Sequence, residues 1–465
     1  MELTNFRCFE SLYMDFHESL TVLVAKNGEG KTSILDAIAV GLGTFIGKMP
    51  DSRGHHFANH DIRLITDLVS GQNVPLGQVS VNMDMNIEQN NNIHVSRSLT
   101  LAKSARTTTG GANKLSSYAE MLIRSQSDPK ITWPLAAYYG AGRLWGANKQ
   151  TQQHKKAMLT QERRYGYADA MNPNSGYKEF SLWFADLRIA LLAEMHKYGN
   201  GSGFGSGRGE GFGNGDGSGG IGDDLNQMRR FKLYNNYNNA LNEVFSKVLQ
   251  PSGWKELDYD FDTKKIVVVN DQKSGTSRID VNMLSAGVQI CLGLVADLAY
   301  RCCQLNPHMG ETAPLKTNGI VLIDEIELHL HPAWQQQILG SLRKAFPNIQ
   351  FIVTTHSPQV ISSVSKECIR IISNGQVVPS EIETEGARAE QVLNEIFGTD
   401  SRVGSLPIVK DLNEYKKLIA EDKWDSKEAL EIKHRLYENL SSDPELSRLA
   451  IDVKVKEYKR GSDKE

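Results

Sequence analysis

Apolar and polar residues alternate along the first hundred positions in a way that predicts mostly strands. Glu2 to Phe16 alternates loosely, which predicts a strand that turns back on itself. Val22 to Val24 is a short apolar run, followed by a glycine-bearing turn and by Ile34 to Ile38 at helical spacing, so we expect a strand, a loop and a helix. Leu76 to Glu88 and Ile93 to Leu101 alternate with period two around a polar turn, which predicts a β-hairpin.

The middle of the chain predicts a helical hairpin interrupted by a glycine tract. After a predicted strand at Ile131 to Tyr139, both Tyr177 to Tyr198 and Leu225 to Leu249 show helical spacing. Every odd position from Gly199 to Gly219 is glycine, so residues 199–222 are predicted to form a flexible loop with little to bury. The apolar positions with helical spacing in the first helix are Phe180, Trp183, Phe184, Leu187, Ala190, Leu191 and Met195.

The remaining chain returns to strands and ends in helices. Lys255 to Val281 predicts strands, and Ile320 to Ile323 and Phe351 to Thr355 are short apolar runs typical of buried parallel strands. Glu381 to Glu465 is charged and follows helical spacing. The alternation of strands and helices predicts an α/β fold. Predicted packing positions in the last segment are Tyr415, Leu418, Ile419, Leu430, Ile432, Leu436 and Leu440.

These patterns divide the chain into four predicted segments. An amino-terminal lobe spans residues 1–145, the helical insertion spans 146–253, a carboxyl-terminal lobe spans 254–380, and a helical tail that we expect to dock a partner spans 381–465. A chain of 465 residues is long enough for two or three domains, although one large α/β domain with insertions is equally allowed.

Composition narrows the class of protein. The chain is 40% apolar and 23% charged, and no uninterrupted apolar run approaches the roughly 18 residues that span a bilayer, so we predict no membrane segment. The amino terminus lacks the regions of a signal peptide and the five cysteines show no metal or disulfide spacing, which favours the cytoplasm. Residues 97–164 contain twelve Lys/Arg against three Asp/Glu, which leaves DNA binding open, although a solvated surface is the favoured interpretation.

Residues 21–33, T-V-L-V-A-K-N-G-E-G-K-T-S, carry the strongest chemical signal. In a P-loop between a strand and a helix, backbone N–H groups and the positive end of the helix dipole hold nucleotide phosphates. Lys31 would reach the β- and γ-phosphates of ATP and Thr32 the Mg²⁺. Ala25 replaces the usual first glycine, and alanine is acceptable where φ is negative. The predicted cofactor-binding residues are Asn27, Gly28, Glu29, Gly30, Lys31, Thr32 and Ser33.

Further polar residues stand at the ends of predicted strands and helices. Asp324 and Glu325 follow one buried strand, where the first can hold Mg²⁺ and the second can orient a water. His356 follows the next strand and should reach the same sheet edge. Leu284 to Gln289 opens a helix whose first N–H groups can bind an anion, with Ser285 as its candidate N-cap. We predict Asp324 as a metal ligand and Glu325 and His356 as catalytic residues.

These motifs resemble those of the ABC-class ATPases of the SMC, RecF and OLD type, over residues 1 to about 375. The resemblance implies an ABC-type ATPase head with a mixed central sheet and an antiparallel β subdomain. It also implies a head-to-tail dimer or higher homo-oligomer in which Ser285 and Gly287 contact ATP held by a second copy, and it places Arg7 near the phosphates. Ala286 replaces a glycine of the usual signature, and His329 and His331 stand where the family has an aspartate, so slow hydrolysis is expected. The first strand of this family usually begins a few residues earlier, which suggests that the natural chain begins upstream of Met1.

Three segments narrow the resemblance to bacterial defence ATPases of the Septu PtuA kind, including retron-associated forms: Tyr138 to Trp145, Val295 to Cys302 and His329 to Pro332. This implies a regulatory ATPase that controls a PtuB-like HNH endonuclease and is not itself a nuclease. A retron reverse transcriptase and its msDNA are further candidate partners. A RecF- or SMC-like DNA-repair clamp, or an OLD-like ATPase acting with nucleic acid, remains an alternative.

Two weaker candidates remain. Arg143 follows a strand and two glycines, so it could line a phosphate site or simply belong to a turn. His55, His56 and His60 with Asp61 have helix-like spacing for a metal, but they lie in a polar stretch without a cysteine, so zinc binding is the less favoured interpretation.

Overall fold

The computed structural model describes residues 1–49, 52–66, 71–88, 91–100, 107–143, 162–173, 177–200, 221–249, 254–272 and 275–462. These residues fall into two compact units, Met1–Arg388 and Ala389–Glu465, which we describe separately. Most of the predicted glycine loop, residues 201–220, lies outside the described residues, as do Leu144 and Trp145.

The described strands are all in the first unit. In chain order they are β1 (Glu2–Phe6), β2 (Phe9–Tyr13), β3 (Leu20–Ala25), β4 (Leu64–Thr66), β5 (Asn73–Pro75), β6 (Gln78–Glu88), β7 (Asn91–Thr100), β8 (Leu135–Tyr139), β9 (Trp254–Asp260), β10 (Lys265–Gln272), β11 (Gly275–Asp280), β12 (Gly319–Ile323), β13 (Ile349–Thr355), β14 (Ile369–Ser373) and β15 (Gln376–Pro379).

The described helices are divided between the two units. The first unit contains α1 (Lys31–Ile46), α2 (Asn113–Arg124), α3 (Lys178–Asn200), α4 (Ile221–Leu249), α5 (Ala286–Leu305), α6 (Ala313–Lys316), α7 (Pro332–Gln335), α8 (Ile338–Ala345) and α9 (Pro358–Ile361). The second contains α10 (Ala389–Glu395), α11 (Pro407–Ala420), α12 (Lys427–Leu440) and α13 (Pro444–Ser462).

A mixed central sheet organises the first unit. Within the described ranges it has six strands in the order β15-β14-β3-β13-β12-β8. The pairs from β14 to β8 are parallel and β15 pairs antiparallel with β14. Parallel strands that are covered on both faces have almost only apolar residues. The segments L-T-V-L-V-A in β3 and G-I-V-L-I in β12 show this pattern, which makes the strands recognisable in the sequence. The predicted α/β fold with a mixed central sheet is confirmed.

Antiparallel sheets flank this centre. The described strands form a four-stranded sheet β2-β1-β6-β7, a three-stranded sheet β11-β10-β9 and the pair β4-β5. The predicted β6–β7 hairpin is present, but its turn is shorter than the predicted Gln89 to Asn92, because Asn91 and Asn92 already pair with Glu88 and Asn86. The strand predicted from Ile131 begins only at Leu135, after Pro134, which has no N–H to donate to a sheet.

Helix α5 is the hydrophobic centre beside the sheet. Among the described residues it is the one helix long and apolar enough to cross a membrane, and 83% of that apolar window is buried inside the fold. Its Tyr300 packs against Trp183 of α3 with 4.6 Å between ring centroids, and Trp183 also contacts Tyr237 of α4. The two insertion helices therefore share their apolar contacts with α5.

The insertion helices differ in detail from their predicted bounds and faces. Helix α4 begins at Ile221 and α3 continues to Asn200, so both helices extend into the predicted loop. Met195, one of the apolar positions with helical spacing, is 58% exposed. The buried face continues from Leu191 to Glu194, and Met195 instead falls in an exposed row with Ile189 and Leu192.

The second unit has its own apolar core. Tyr415, Leu418 and Ile419 are buried as predicted, together with Ile432 and Leu436. Leu430 was predicted to pack but is 53% exposed, because Ala429 occupies the position on α12 that shares a face with Ile432 and Leu436. Helices α11, α12 and α13 thus supply one shared core, to which Leu446 and Val453 contribute from α13.

Candidate functional site

The glycine-bearing turn between β3 and α1 depends on glycine at two positions. Gly28 and Gly30 have φ values of 86° and 95°, in the left-handed region that side chains with a Cβ disfavour. A Cβ at Gly30 would also lie 2.5 Å from Cys8 Sγ, so any larger residue would collide there. Ala25 ends β3 in extended conformation, which explains why alanine is accepted in place of the usual glycine.

A cavity of 290 Å³ opens at the carboxyl ends of β3, β12 and β13. It is lined by Asn27, Gly28, Gly30, Lys31, Thr32, Ser33, Asp324, Glu325 and His356. These are residues that the sequence suggested for phosphate binding, metal binding and catalysis, and the strand order explains why they meet, since β13 lies between β3 and β12. Of the predicted P-loop residues, Glu29 points elsewhere and accepts a hydrogen bond from the backbone N–H of Asn374.

Two hydroxyl groups hold the carboxylate of Asp324. Thr32 Oγ1 donates to Asp324 Oδ2 at 2.9 Å, and Thr354 Oγ1 donates to Asp324 Oδ1 at 2.6 Å. The Thr32 hydroxyl and the Asp324 carboxylate are oxygen donors of the type that Mg²⁺ prefers, so this pair fits the ion that ATP would bring. Asp324 is 5% exposed, which makes a carboxylate without a cation or donors costly at this position.

Lys31 and His356 face each other across the cavity. The Nζ of Lys31 lies 2.6 Å from Nε2 of His356 and donates to the carbonyl of Ala25 at 3.2 Å. Burial lowers the pKa of Lys31, and burial followed by the charge of Lys31 lowers the pKa of His356. A neutral imidazole therefore accepts from the ammonium group, and the backbone N–H of His356 is held by Glu327 Oε1 at 2.5 Å.

The turn after β12 presents Glu325 to the cavity. Glu325 has a φ of 48°, and its N–H donates to Thr354 Oγ1 at 2.7 Å. Arg143, suggested as a phosphate-lining candidate, is buried instead and donates to the carbonyls of Asp324 and Glu325. The sequence analysis did not identify Thr354 or Glu327, although a second threonine inside the apolar run F-I-V-T-T was a usable signal for Thr354.

Arg7 is not among the residues that line the cavity, and its expected place near the phosphates stays a prediction. Its guanidinium pairs with Asp36 at 2.6 Å and with Asp61 at 2.8 Å. Asp36 also accepts from the hydroxyl of Tyr138 at 2.9 Å, which links α1 to β8 behind the P-loop. In this conformation Arg7 ties the amino-terminal hairpin to α1.

The predicted signature lies outside the cavity of its own chain. Ser285 is exposed at the N-cap position of α5, but its hydroxyl makes no capping hydrogen bond, contrary to the capping prediction. Gly287 is buried, and a Cβ there would lie 2.0 Å from the carbonyl oxygen of His329, so glycine permits close packing. Contact of Ser285 or Gly287 with ATP on a second copy stays a prediction.

The histidine stretch near the P-loop helix serves internal contacts. His55 Nε2 lies 2.6 Å from the carbonyl of Met171, and His56 Nδ1 lies 3.1 Å from a guanidinium nitrogen of Arg97. Asp61 is occupied by Arg7. In the described part of the chain, no group of three or more His, Cys, Asp or Glu side chains is arranged to hold a metal. The zinc alternative therefore lacks support.

Comparison with known proteins agrees with this geometry. Residues 1–179 match a family described as "AAA domain", and residues 220–362 match one described as "AAA domain, putative AbiEii toxin, Type IV TA system". The Retron Ec83 probable ATPase of Escherichia coli is 29% identical over 97% of this chain and 86% of its own length.

The two family matches and the retron relative support a P-loop ATPase. The ATPase also resembles the Septu protein PtuA of Bacillus thuringiensis, at 25% identity over 35% of this chain and 41% of that protein. Among solved structures, an SMC head bound to the C-winged helix domain of ScpA is 17% identical, with a TM-score of 0.42, and covers 82% of the ATPase and 97% of that chain.

Proposed function

We propose that this protein is the ATP-binding and ATP-hydrolysing regulatory subunit of a bacterial anti-phage defence complex, and that it controls a partner nuclease of the HNH type. The observation that carries the proposal is the cavity where the P-loop meets Asp324, Glu325 and His356. The near full-length similarity to a retron ATPase and the shorter match to a Septu protein support its assignment to defence.

The geometry supports a division of roles within the site. Lys31 and the N–H groups at the start of α1 would bind the β- and γ-phosphates. Thr32 with Asp324 would hold Mg²⁺, which when bound supplies positive charge beside the phosphates. Glu325 orients the attacking water. His356 already contacts Lys31, so it lies where it can sense the terminal phosphate. We expect slow hydrolysis, because Ala286 and the histidines His329 and His331 depart from the family pattern.

The partners follow from the family resemblance. Ser285 and Gly287 complete the ATP site of a second copy in a head-to-tail dimer or higher oligomer. The HNH endonuclease, PtuB-like, docks on the helical tail or the outer surface of the ATPase, with a retron reverse transcriptase and msDNA as further partners. The proposed assembly is cytoplasmic, and DNA is a candidate ligand of it.

The test of ATP-driven assembly uses two substitutions. Glu325→Gln removes the water-orienting carboxylate and should trap ATP-bound assemblies, whereas Lys31→Ala should bind no ATP. Mass measurement with and without Mg-ATP, together with ATP retention, distinguishes the two. The mechanism is contradicted if Glu325→Gln neither retains ATP more tightly than the wild type nor gains mass when nucleotide is added. This outcome counts only if the subunits are not already fully assembled without nucleotide.

The nuclease assignment has a separate test. Asp324 and Glu325 are assigned to Mg-ATP, so cleavage chemistry has to come from a partner. Purified ATPase with Mg²⁺ or Mn²⁺ should cleave plasmid, tRNA or phage DNA no faster than Lys31→Ala, and co-expression with the adjacent gene should copurify a nuclease. Robust cleavage by the clean ATPase would favour the OLD-like alternative.

A further inference from the structure

Arg143 lies where the ends of β8 and β12 meet. It is 1% exposed, and its NH1 donates to the carbonyls of Gly140, at 3.0 Å, and of Asp324. Its NH2 donates to the carbonyl of Glu325 at 2.8 Å. Because a guanidinium holds its N–H donors in a rigid planar fork, one side chain fixes two successive peptide groups of the turn after β12.

The backbone that Arg143 holds has an unfavourable conformation. Glu325 has a φ of 48°, and residues with a Cβ avoid this left-handed region. Such a conformation persists where surrounding contacts over-determine it. Here the N–H of Glu325 is held by Thr354 Oγ1 at 2.7 Å, and its carbonyl is held by Arg143. Threonine and arginine thus fix the two backbone polar groups of Glu325, one in each of the peptide units that flank its Cα.

We propose that Arg143 is a positioning residue that keeps Glu325 in the left-handed conformation and so directs its carboxylate into the ATP cavity. This rests on the proposed function, which assigns the attacking water to Glu325. Arg143 is not itself among the cavity-lining residues, so it acts through Glu325 and not on the nucleotide. Phosphate binding depends on Lys31 and α1, which other contacts hold.

A purely structural role predicts a different outcome. If Arg143 contributed only to folding, its loss would reduce the folded fraction and leave turnover per bound ATP unchanged. If it positions Glu325, turnover per bound ATP falls while ATP affinity stays close to that of the wild type, because the lost interaction belongs to the hydrolysis step.

The experiment measures single-turnover ATP hydrolysis divided by the number of ATP-binding sites, in the full chain and below the unfolding temperature of each variant. Arg143→Gln should lose about tenfold or more in turnover, with ATP affinity changed by less than about threefold. Arg143→Lys should be intermediate, since an ammonium group can donate to these carbonyls but lacks the rigid fork.

Arg163 provides a matched control in the same unit. It is 4% exposed and donates to the carbonyls of Leu305, Asp128 and Ile131, away from the ATP cavity. Arg163→Gln should lower the melting temperature and leave turnover per site unchanged. Equal turnover per site in wild type, Arg143→Gln and Arg163→Gln would overturn the positioning role.

A double substitution tests whether Arg143 acts through Glu325. In a Glu325→Gln background, adding Arg143→Gln should cause no further loss of turnover, whereas multiplied losses would overturn the proposal. If Arg143→Gln does not fold, a crystal structure of Arg143→Lys provides the test. The proposal requires that the Glu325 backbone is displaced in this variant. An unchanged positive φ of Glu325 together with wild-type turnover contradicts the proposal. If the wild type hydrolyses no ATP, the proposed function fails first, and the Glu325 φ in the same crystal structure still decides on Arg143.

Discussion

The two edges of the central sheet differ in size and in chemistry. At the carboxyl edge lies the 290 Å³ cavity with the P-loop, Asp324, Glu325 and His356. At the amino edge, beside the starts of β8, β12 and β13, lies a larger cavity of 660 Å³. Helix α1 connects them, because it begins in the first cavity at Lys31 and lines the second with Leu42 and Phe45.

The comparison teaches that the volume of a cavity does not identify the reactive site. The larger cavity is lined by methionine, isoleucine, leucine and phenylalanine side chains together with several asparagines. Its four acidic residues, Glu2, Asp15, Glu18 and Asp84, are all exposed. The smaller cavity brings a lysine, a histidine and two carboxylates together at strand ends, where backbone groups and a helix dipole also point. Convergent polar groups, whose backbone Thr354 and Arg143 hold, are what distinguish the carboxyl edge, which we propose as the ATP site.

The largest difference between the edges should come from removing one carboxylate at each. Asp324→Asn loses the metal-binding charge and changes the acceptor of two threonine hydroxyls, so ATP hydrolysis should fall by about a hundredfold or more. Asp84→Asn, at the amino-edge cavity, should hydrolyse ATP like the wild type. Steady-state phosphate release measures both. Comparable losses in the two variants would end the distinction between the edges.

Substitution of Thr354, which is fully buried, should cause a smaller but still clear loss of ATP hydrolysis. Thr354→Val removes both the donor to Asp324 and the acceptor for the N–H of Glu325, and an unsatisfied buried N–H costs about 1–3 kcal/mol. Hydrolysis should fall about tenfold or more. Thr354→Ser keeps the hydroxyl and should retain most activity. If valine and serine variants hydrolyse ATP equally, the hydroxyl has no part in holding the turn.

The sequence predicted the site where chemistry depends on local spacing. Lys31 and Thr32 follow from the order of residues in one turn, and Asp324 with Glu325 from carboxylates after an apolar strand. Arg143 and Glu327 act through backbone groups of distant segments: Arg143 binds carbonyls more than 180 positions away, and side-chain type does not reveal such a partner. Ser285 shows the opposite case, since its residue type fitted a cap that its hydroxyl does not make.

The pH dependence of folding stability should also depend on the carboxyl edge. We expect this effect to be smaller than the losses of ATP hydrolysis described above. Burial, then the charge of Lys31, lowers the pKa of His356 below its ordinary value of 6.5, although nearby carboxylates oppose the shift. The unfolded chain therefore takes up this proton at a higher pH than the folded one. The stability contributed by neutral His356 is present above about pH 6.5 and is lost as pH falls through the lower folded pKa.

The melting temperature of nucleotide-free His356→Gln should accordingly fall less than that of the wild type between about pH 7.5 and about pH 5.5. Burial also lowers the pKa values of His56 and His308, so some acid sensitivity should persist in the variant. Thermal unfolding gives the melting temperature as a function of pH for the wild type and for His356→Gln, and the difference between these two curves is the quantity to compare. Parallel profiles would show that His356 contributes nothing to the pH dependence.

Substitution of an apolar residue at the amino edge should have the smallest effect on ATP hydrolysis, even where it strongly lowers the free energy of unfolding. Leu42 lies on the same helix as Lys31, is 5% exposed and lines the 660 Å³ cavity. Leu42→Ala removes buried methyl groups and should destabilise the protein by about 2–5 kcal/mol. Turnover per ATP-binding site, measured well below the melting temperature, should match the wild type. A parallel loss of turnover would mean that packing at the far end of α1 sets the geometry of the P-loop, and the two edges would then be one coupled unit.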